Sequence, residues 1–311
     1  MKTILRTFVG CTAILFGTAC MGAVKYVPEN MKVELSLKVP GNNAVNYKLH
    51  PDKLENSYFD YEWRSDNKLP ITVFHKVEER DSCMRLTVQL TAAQDVYFNY
   101  RQLLSTGYRH DNCQFYMPGF WYRRNLRSPK KAPSFHTSDS WLVREDRLSA
   151  PLTGIFSEKE KRFMTVNRLD DFSMDALATH KEGEIILSGK TSLGFTGFEN
   201  QQGIAMLSFG FPYREAPKSY IRKLTLAPEV EAFQLMKKGE SVLLTWEIME
   251  SGADDFSDFI QHTWEHCYDT YAPKPVENSY SIADMKQVLS CFFVNSLVDN
   301  QPLVYNSGIH L

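Results

Sequence analysis

The chain has 311 residues, of which 43% are hydrophobic and 23% charged, and these values are typical of a globular protein with one large or two ordinary domains. The formal net charge of −2 excludes the strongly basic surface expected of a nucleic-acid-binding protein or of one held by charge on an anionic membrane. We therefore expect no nucleic-acid partner, and the 20 Phe and 15 Tyr favour a β-rich core.

The N-terminus has the pattern of an export signal. Lys2 and Arg6 precede the apolar run TFVGCTAILFGTAC at residues 7–20, which is too short to span a bilayer. Residues 1–22 are thus predicted to be a signal peptide or lipoprotein signal, and the protein to be periplasmic, outer-membrane-anchored or secreted. Cleavage near Ala19 or Ala23 and lipidation of Cys20 in an imperfect lipobox, GTAC, are the two alternatives, and a lipid on Cys20 would be the only membrane attachment.

Four cysteines remain beyond this signal, and none has the spacing of a zinc site. We predict no metal site and no cofactor. Export would place these thiols in an oxidising compartment, where a Cys83–Cys113 disulfide could form. Four buried thiols are the favoured alternative, because a core of this size needs no covalent link.

Residues 25–250 are predicted to form a mainly β domain. MKVELSLKV at residues 31–39 alternates between apolar and polar residues, which indicates a half-buried strand. Further short runs of this kind follow up to SVLLTWEIME at residues 241–250, separated by turn residues. About a dozen strands without intervening helices predict a large antiparallel β-supersandwich of two packed sheets.

Residues 105–162 are predicted to be a long loop rich in aromatic and basic residues. Sugars stack on exposed aromatic rings, and arginine binds carboxylates through two hydrogen bonds. A glycan-binding site, including one for acidic sugars, is therefore a hypothesis for this segment, and packing of the rings onto the sandwich is the favoured alternative. The candidate substrate-binding residues are Trp121, Tyr122, Arg123, Arg124, Trp141 and Arg144.

Two amphipathic helices are predicted at residues 251–311. Apolar residues from Phe256 to Tyr271 form one helical stripe, with a capping pair at Ser251 and Asp254, and Pro273 ends the helix. A second stripe follows Ser281. The preceding sheets could cover one of these helices, and we interpret the second as the first helix of an unfinished helical array, because wide apolar faces need further elements to cover them.

The β-domain followed by TWEI, the helix FIQHTWEHCYDTYAP and a further helix resembles the N-terminal part of six-hairpin glycosidases. The resemblance implies a galactose-mutarotase-type β-supersandwich, a linker helix that carries Trp264, and the first helix of an (α/α)6 toroid. It also implies cleavage of a glycan by a hydrolase, a lyase or a phosphorylase. In this family the catalytic carboxylates usually lie in the toroid, which takes about a dozen helices, whereas this chain has two. We expect the chain to be truncated and inactive by itself.

No catalytic pair of carboxylates is assigned from the sequence. Glu145 and Asp146 are adjacent between Arg144 and Arg147, so a structural ion-pair cluster is the favoured interpretation. The function predicted first is therefore the N-terminal portion of an exported glycoside hydrolase-like enzyme. The alternative is a non-catalytic glycan-binding protein or surface lipoprotein whose two helices cover the sheet.

Overall fold

The computed structural model describes residues 27–80, 83–125, 137–170, 175–178, 181–220, 225–274 and 280–295. The predicted export signal and the candidate lipidation site Cys20 lie outside the described residues. The described chain contains nineteen strands and two α-helices. None of its helices is long and apolar enough to cross a membrane.

The helices are α1 (Phe256–Tyr271) and α2 (Ile282–Asn295). The strands are β1 (Met31–Lys38), β2 (Val45–Lys53), β3 (Tyr61–Arg64), β4 (Ile71–Glu79), β5 (Cys83–Ala92), β6 (Val96–Arg109), β7 (Cys113–Met117), β8 (Trp121–Arg123), β9 (Ser140–Arg144), β10 (Leu152–Ser157), β11 (Arg162–Arg168), β12 (Gly183–Ile186), β13 (Phe195–Gln201), β14 (Ile204–Phe211), β15 (Arg214–Glu215), β16 (Lys218–Tyr220), β17 (Thr225–Ala227), β18 (Val230–Met236) and β19 (Ser241–Gly252).

Most strands belong to two antiparallel layers, which we call the first and the second sheet. The first sheet has the order β9–β13–β14–β6–β1. The second has the order β3–β4–β5–β19–β11–β10–β7–β8. Strand β2 joins them, because residues 45–49 pair with β1 and residues 50–53 pair with β3. A smaller sheet of β12, β18 and β15 contains the one parallel pairing among the described strands, β12 with β18.

Aromatic side chains from the two sheets meet face to face. Phe115 on β7 stacks on Phe198 of β13 with 4.1 Å between ring centroids, and Trp246 on β19 lies 5.1 Å from Phe209 of β14. These side chains are at most 1% exposed. The core therefore lies between the two sheets, and the prediction of a mainly β fold, with two C-terminal helices, is confirmed.

The prediction of a long loop at residues 105–162 is wrong. Strands β7, β8, β9 and β10 all lie in that interval. Every residue of β7 and β10 is buried, so both faces of these strands carry side chains that avoid water. The polar face that makes a half-buried strand recognisable in a sequence is therefore missing.

The first helix packs its N-terminal half on the outer face of the second sheet. Phe259 is fully buried, and its ring lies 6.0 Å from that of Phe156 and 4.9 Å from that of Phe163. A Cβ atom at Gly154 would lie 2.6 Å from the Phe259 ring, so the glycine makes room for it. Asp255, rather than the predicted pair Ser251 and Asp254, caps the helix by accepting hydrogen bonds from two backbone N–H groups.

The contacts divide the chain into two compact units, Met1–Glu265 and His266–Leu311. Helix α2 lies in the second unit and starts with the predicted capping box: the Ser281 hydroxyl accepts from the Asp284 N–H at 3.1 Å, and the Asp284 carboxylate accepts from the Ser281 N–H at 3.1 Å. None of its described residues is buried. Exposed apolar side chains on this helix include Ile282, Val288, Leu289, Phe292, Phe293 and Val294.

Cys83, Cys113 and Cys291 are free thiols in the described structure. Cys83, Cys113 and Cys267 are buried, as predicted, whereas Cys291 on α2 is exposed. Burial raises the pKa of Cys83 to about 11 and that of Cys113 to about 12. These two thiols are therefore poor nucleophiles at neutral pH.

Candidate functional site: an aromatic surface beside helix α1

The turn between β7 and β8 presents a tyrosine ring to solvent. Pro118 and Gly119 occupy the turn, which the Phe120 N–H closes by donating to the Met117 carbonyl at 3.0 Å, and Gly119 has the positive φ of +80° that favours glycine. The Gly119 N–H donates to the Tyr122 hydroxyl at 3.2 Å. This bond fixes one end of the ring, and Tyr122 is still 52% exposed.

A tryptophan of α1 lies in the same aromatic group. The Trp264 indole N–H donates to the Tyr116 hydroxyl at 2.7 Å, and the Tyr116 ring lies 5.4 Å from that of Tyr122. The Arg123 guanidinium lies over the ring of Phe256, 5.1 Å from its centroid. We call Tyr116, Tyr122, Arg123, Phe256 and Trp264 the aromatic surface.

The aromatic surface combines exposed rings with an available cation. Trp264 is 39% exposed, and Tyr116 and Phe256 are buried beneath the exposed side chains. Arg123 is exposed, and among the described residues it forms no ion pair with a carboxylate. Its guanidinium retains the donors with which arginine binds a carboxylate or a sulfate.

Two predicted stacking residues, Trp121 and Trp141, lie in the core instead. They are 0% and 1% exposed, and their rings lie 5.1 Å apart. Trp121 also meets the Phe198 ring edge to face at 5.0 Å. These edge strands, β8 of the second sheet and β9 of the first, thus turn their tryptophans towards each other and close one side of the sandwich. Neither ring offers a face to a ligand at the surface.

The two remaining predicted arginines are held by structural partners. Arg124 donates to the carbonyl oxygens of Cys113, at 3.1 Å, and Asp111. Arg144 pairs with Asp146 at 2.8 Å and with Asp175 at 3.2 Å, which raises its guanidinium pKa despite partial burial.

Arg144 also lies on a different face of the sandwich from the aromatic surface. Its guanidinium lies over Tyr213, in the apolar cluster outside the first sheet that includes Leu142. The structure therefore brings together Tyr122 and Arg123 of the six candidates, and it places Trp121, Arg124, Trp141 and Arg144 in other surroundings.

Glu145 and Asp146 form separate ion pairs, as the structural interpretation predicts. Glu145 is completely buried, and its Oε2 atom accepts from Arg168 at 2.8 Å and from the Gly194 N–H at 2.7 Å. Burial raises the pKa of Glu145 to about 7, and the charge of Arg168 opposes this rise. Asp146 pairs with Arg144 at the surface. The two carboxylates thus do not face one substrate.

Sequence reasoning missed Tyr116 and interpreted Phe256 and Trp264 only as part of an apolar helix stripe. Tyr116 and Trp264 are 148 positions apart, so only the fold shows that they meet. A charged group outside the first sheet was missed as well: Arg101 pairs with Glu34 at 3.1 Å and with Glu199. These residues lie on β1, β6 and β13, far apart in the sequence, so only the fold brings them together.

No protein-family model matches the chain, and no curated protein matches it. Seventeen chains of solved structures match it, among them the following three. The polysaccharide lyase BACCELL_00875 has 14% identity and a TM-score of 0.35, over 75% of this chain and 27% of the lyase. The Slr1438 protein from Synechocystis sp. PCC 6803 has 6% identity and a TM-score of 0.36, over 70% of this chain and 73% of that protein.

A putative kojibiose phosphorylase from human microbiome has 7% identity and a TM-score of 0.30, over 85% of this chain and 27% of the phosphorylase. The chain thus spans about a quarter of the length of the lyase and of the phosphorylase.

Proposed function

We propose that this chain is the N-terminal portion of an exported, glycoside hydrolase-like carbohydrate-active enzyme, and that its aromatic surface binds the glycan. The observation that carries the proposal is the grouping of two partly exposed rings, Tyr122 and Trp264, beside the exposed Arg123. Aromatic rings held in place lose little entropy on binding, and the apolar C–H faces of a pyranose cover them.

The charge of the aromatic surface favours an acidic glycan. Arg123 has the planar, two-pronged geometry that binds a carboxylate or sulfate through paired hydrogen bonds. The nearby Asp255 carboxylate is occupied by the N-terminal N–H groups of α1, and these bonds, more than the charge of Arg123, lower its pKa. Arg123 therefore stays free to bind a uronic acid or a sulfated sugar.

The exposed apolar side chains of α2 support the assignment to a larger enzyme. A helix with this many apolar residues in water is more stable when other helices cover them. Catalysis would then belong to a helical domain, because the carboxylates considered in the sandwich, Glu145 and Asp146, are engaged in structural ion pairs. The chain alone would bind its glycan without cleaving it.

A second candidate is a non-catalytic, surface-attached glycan-binding protein. The packing of Phe256 and Phe259 onto the second sheet favours it, since α1 already finds its cover within this chain. The encoding reading frame distinguishes the two candidates. A frame that continues beyond codon 311 into a long stretch of helix-period sequence supports the enzyme, and a stop codon there supports the binding protein.

The binding proposal is tested by titrating the protein with uronic-acid-containing and uncharged oligosaccharides of equal length, using isothermal titration calorimetry. We expect Tyr122→Ala to weaken binding of the acidic ligand about fivefold, since loss of one ring contact costs about 1 kcal/mol. Arg123→Gln is expected to abolish the preference for the acidic ligand and the dependence of affinity on salt.

The matched control is Tyr58→Ala, which removes another exposed tyrosine, between β2 and β3. Its affinity should equal that of the unsubstituted protein. Equal affinities for Tyr122→Ala, Tyr58→Ala and the parent protein would refute the assignment of the aromatic surface.

A further inference from the structure

A second polar surface lies on the outer face of the first sheet. It is a groove with a volume of about 510 Å³ at the turn between β13 and β14. Ser105 and Met206 are paired across β6 and β14, and their neighbours Leu104 and Leu207 lie in the core, so both side chains lie on the outer face of the sheet. Ser105 is partly exposed, whereas Met206 is only 3% exposed and lies at the bottom of the groove. The residues that line it are Glu29, Asn30, Lys32, Ser105, Gln201, Gln202, Ile204 and Met206.

The backbone is irregular at this groove. The pairing of β14 with β6 shifts register between Ile204 and Met206, which marks a β-bulge. Gln202 has a φ of +53° and Gly203 a φ of +83°, so both residues of the two-residue turn are left-handed. A glutamine is unfavourable in that conformation, where asparagine or glycine is usual. Bulges and strained residues are frequent at binding sites, where they direct a side chain towards a ligand.

The chemistry of the groove fits uncharged hydroxyl groups. Three side-chain amides, Asn30, Gln201 and Gln202, carry both donors and acceptors. The Ser105 hydroxyl accepts from the Gly107 N–H at 3.3 Å and has its own proton to donate. The one lysine of the lining, Lys32, donates to Gln201 at 2.6 Å, and the lining also carries Glu29. One positive and one negative residue leave the groove without a net charge, which disfavours an anionic ligand.

The turn also has its own supports, which leave the amide of Gln202 available. The Gly203 N–H donates to the Asn200 side chain at 2.9 Å, and the Gly203 carbonyl accepts from the His110 N–H at 2.9 Å. The turn is therefore held by Asn200 and by the neighbouring strand connection, and no hydrogen bond of the Gln202 amide is needed to close it. Ile204 and Met206 add an apolar patch to the lining.

We propose that this groove is a binding site for an uncharged saccharide unit, whose hydroxyls bond to the amides while its C–H groups contact Ile204. The inference goes beyond the proposed function, since the aromatic surface lies outside the second sheet and the groove outside the first. Its volume is within the range of small-molecule sites.

The test uses saturation-transfer NMR and calorimetry with uncharged mono- to tetrasaccharides, among them maltose, cellobiose, lactose, xylobiose and diacetylchitobiose. We expect at least one to bind with a dissociation constant below about 10 mM. Gln202→Gly should weaken this binding at least fivefold while leaving the thermal midpoint unchanged or raised, because glycine accepts the left-handed conformation without strain. Ser105→Ala should weaken it as well.

Asn56→Gly is the matched control, since Asn56 is also left-handed, with a φ of +58°, and exposed, but lies between β2 and β3. It should bind as the parent protein does. The proposal is overturned if no uncharged saccharide of the panel binds, or if Gln202→Gly and Ser105→Ala both bind it with unchanged affinity.

Discussion

The buried carboxyl of Glu145 makes the stability of the sandwich depend on pH in a direction opposite to that of most acids. Its side chain is inaccessible to solvent, and its Oε1 atom has no hydrogen-bond partner among the described residues. Burial raises its pKa from the ordinary value of 4.5 to about 7. The folded state therefore binds a proton more tightly than the unfolded state does.

The sign and the magnitude follow from this difference. Below pH 4.5 the carboxyl is protonated in both states. Between about 4.5 and about 7 the unfolded chain loses the proton while the folded chain keeps it, so the free energy of unfolding falls as the pH rises. Since one pKa unit corresponds to about 1.4 kcal/mol, the total fall is about 3 kcal/mol, and it is complete above pH 7.

We expect Glu145→Gln to remove this fall. The assay is urea unfolding at pH values from 5 to 8, followed by tryptophan fluorescence, in the parent protein and the variant. The comparison is made between proteins, because His75 adds a contribution of opposite sign: burial lowers its pKa to about 3, so it stabilises the fold as the pH rises. Subtracting the two curves cancels the histidine.

Asp146→Asn is the control for this experiment. It removes the neighbouring carboxylate, which is 40% exposed and pairs with Arg144 at the surface, and it should keep the slope of the parent protein. The reasoning is refuted if Glu145→Gln and the parent protein lose the same stability between pH 5 and pH 8. In that case the charge of Arg168 would hold Glu145 ionised throughout this interval.

Two further predictions concern packing, and thermal unfolding measures both. Phe259→Ala should lower stability by about 3–5 kcal/mol by leaving a cavity between α1 and the second sheet, while Tyr268→Ala, at an exposed position of the same helix, should change it by less than about 0.5 kcal/mol. Gly197→Ala should destabilise strongly, because its Cβ would lie 1.9 Å from the Trp141 carbonyl oxygen, whereas the nearest atom to a Cβ at Gly252 is 3.7 Å away, so Gly252→Ala should be tolerated. Equal stability within either pair would contradict the packing described.

The strands that the sequence predicts are those with one buried and one solvent-exposed face. Strand β1 alternates between core and surface, and its period of two is visible in MKVELSLKV. Strand β10 carries no such pattern, because the core covers one of its faces and α1 covers the other. Strand β2 is not predicted from the sequence for another reason. It is mostly exposed, and it contains Pro51, just after the residues that pair with β1 and among those that pair with β3.

In the candidate site, too, the sequence alone does not show which single side chains are buried. Trp121 and Tyr122 are neighbours on β8, so their side chains point to opposite faces, and the sequence does not say which of the two points inward. The structure places Trp121 in the core and Tyr122 at the surface. The sequence shows where aromatic residues are concentrated. Burial separates a packing residue from a candidate ligand contact, and burial depends on partners far away in the chain.

The sandwich architecture explains how the two proposed binding surfaces can coexist in one domain without sharing residues. The core between the sheets fixes both layers, and each outer face then carries its own groups: rings and Arg123 beside α1 on the second sheet, and amides around the β13–β14 turn on the first. Substitutions at sites with no shared partners are additive. In a Tyr122→Ala, Gln202→Gly double variant, the affinity for each ligand should therefore fall by the product of the factors measured in the two single variants. A deviation from this product would show that one glycan spans both faces.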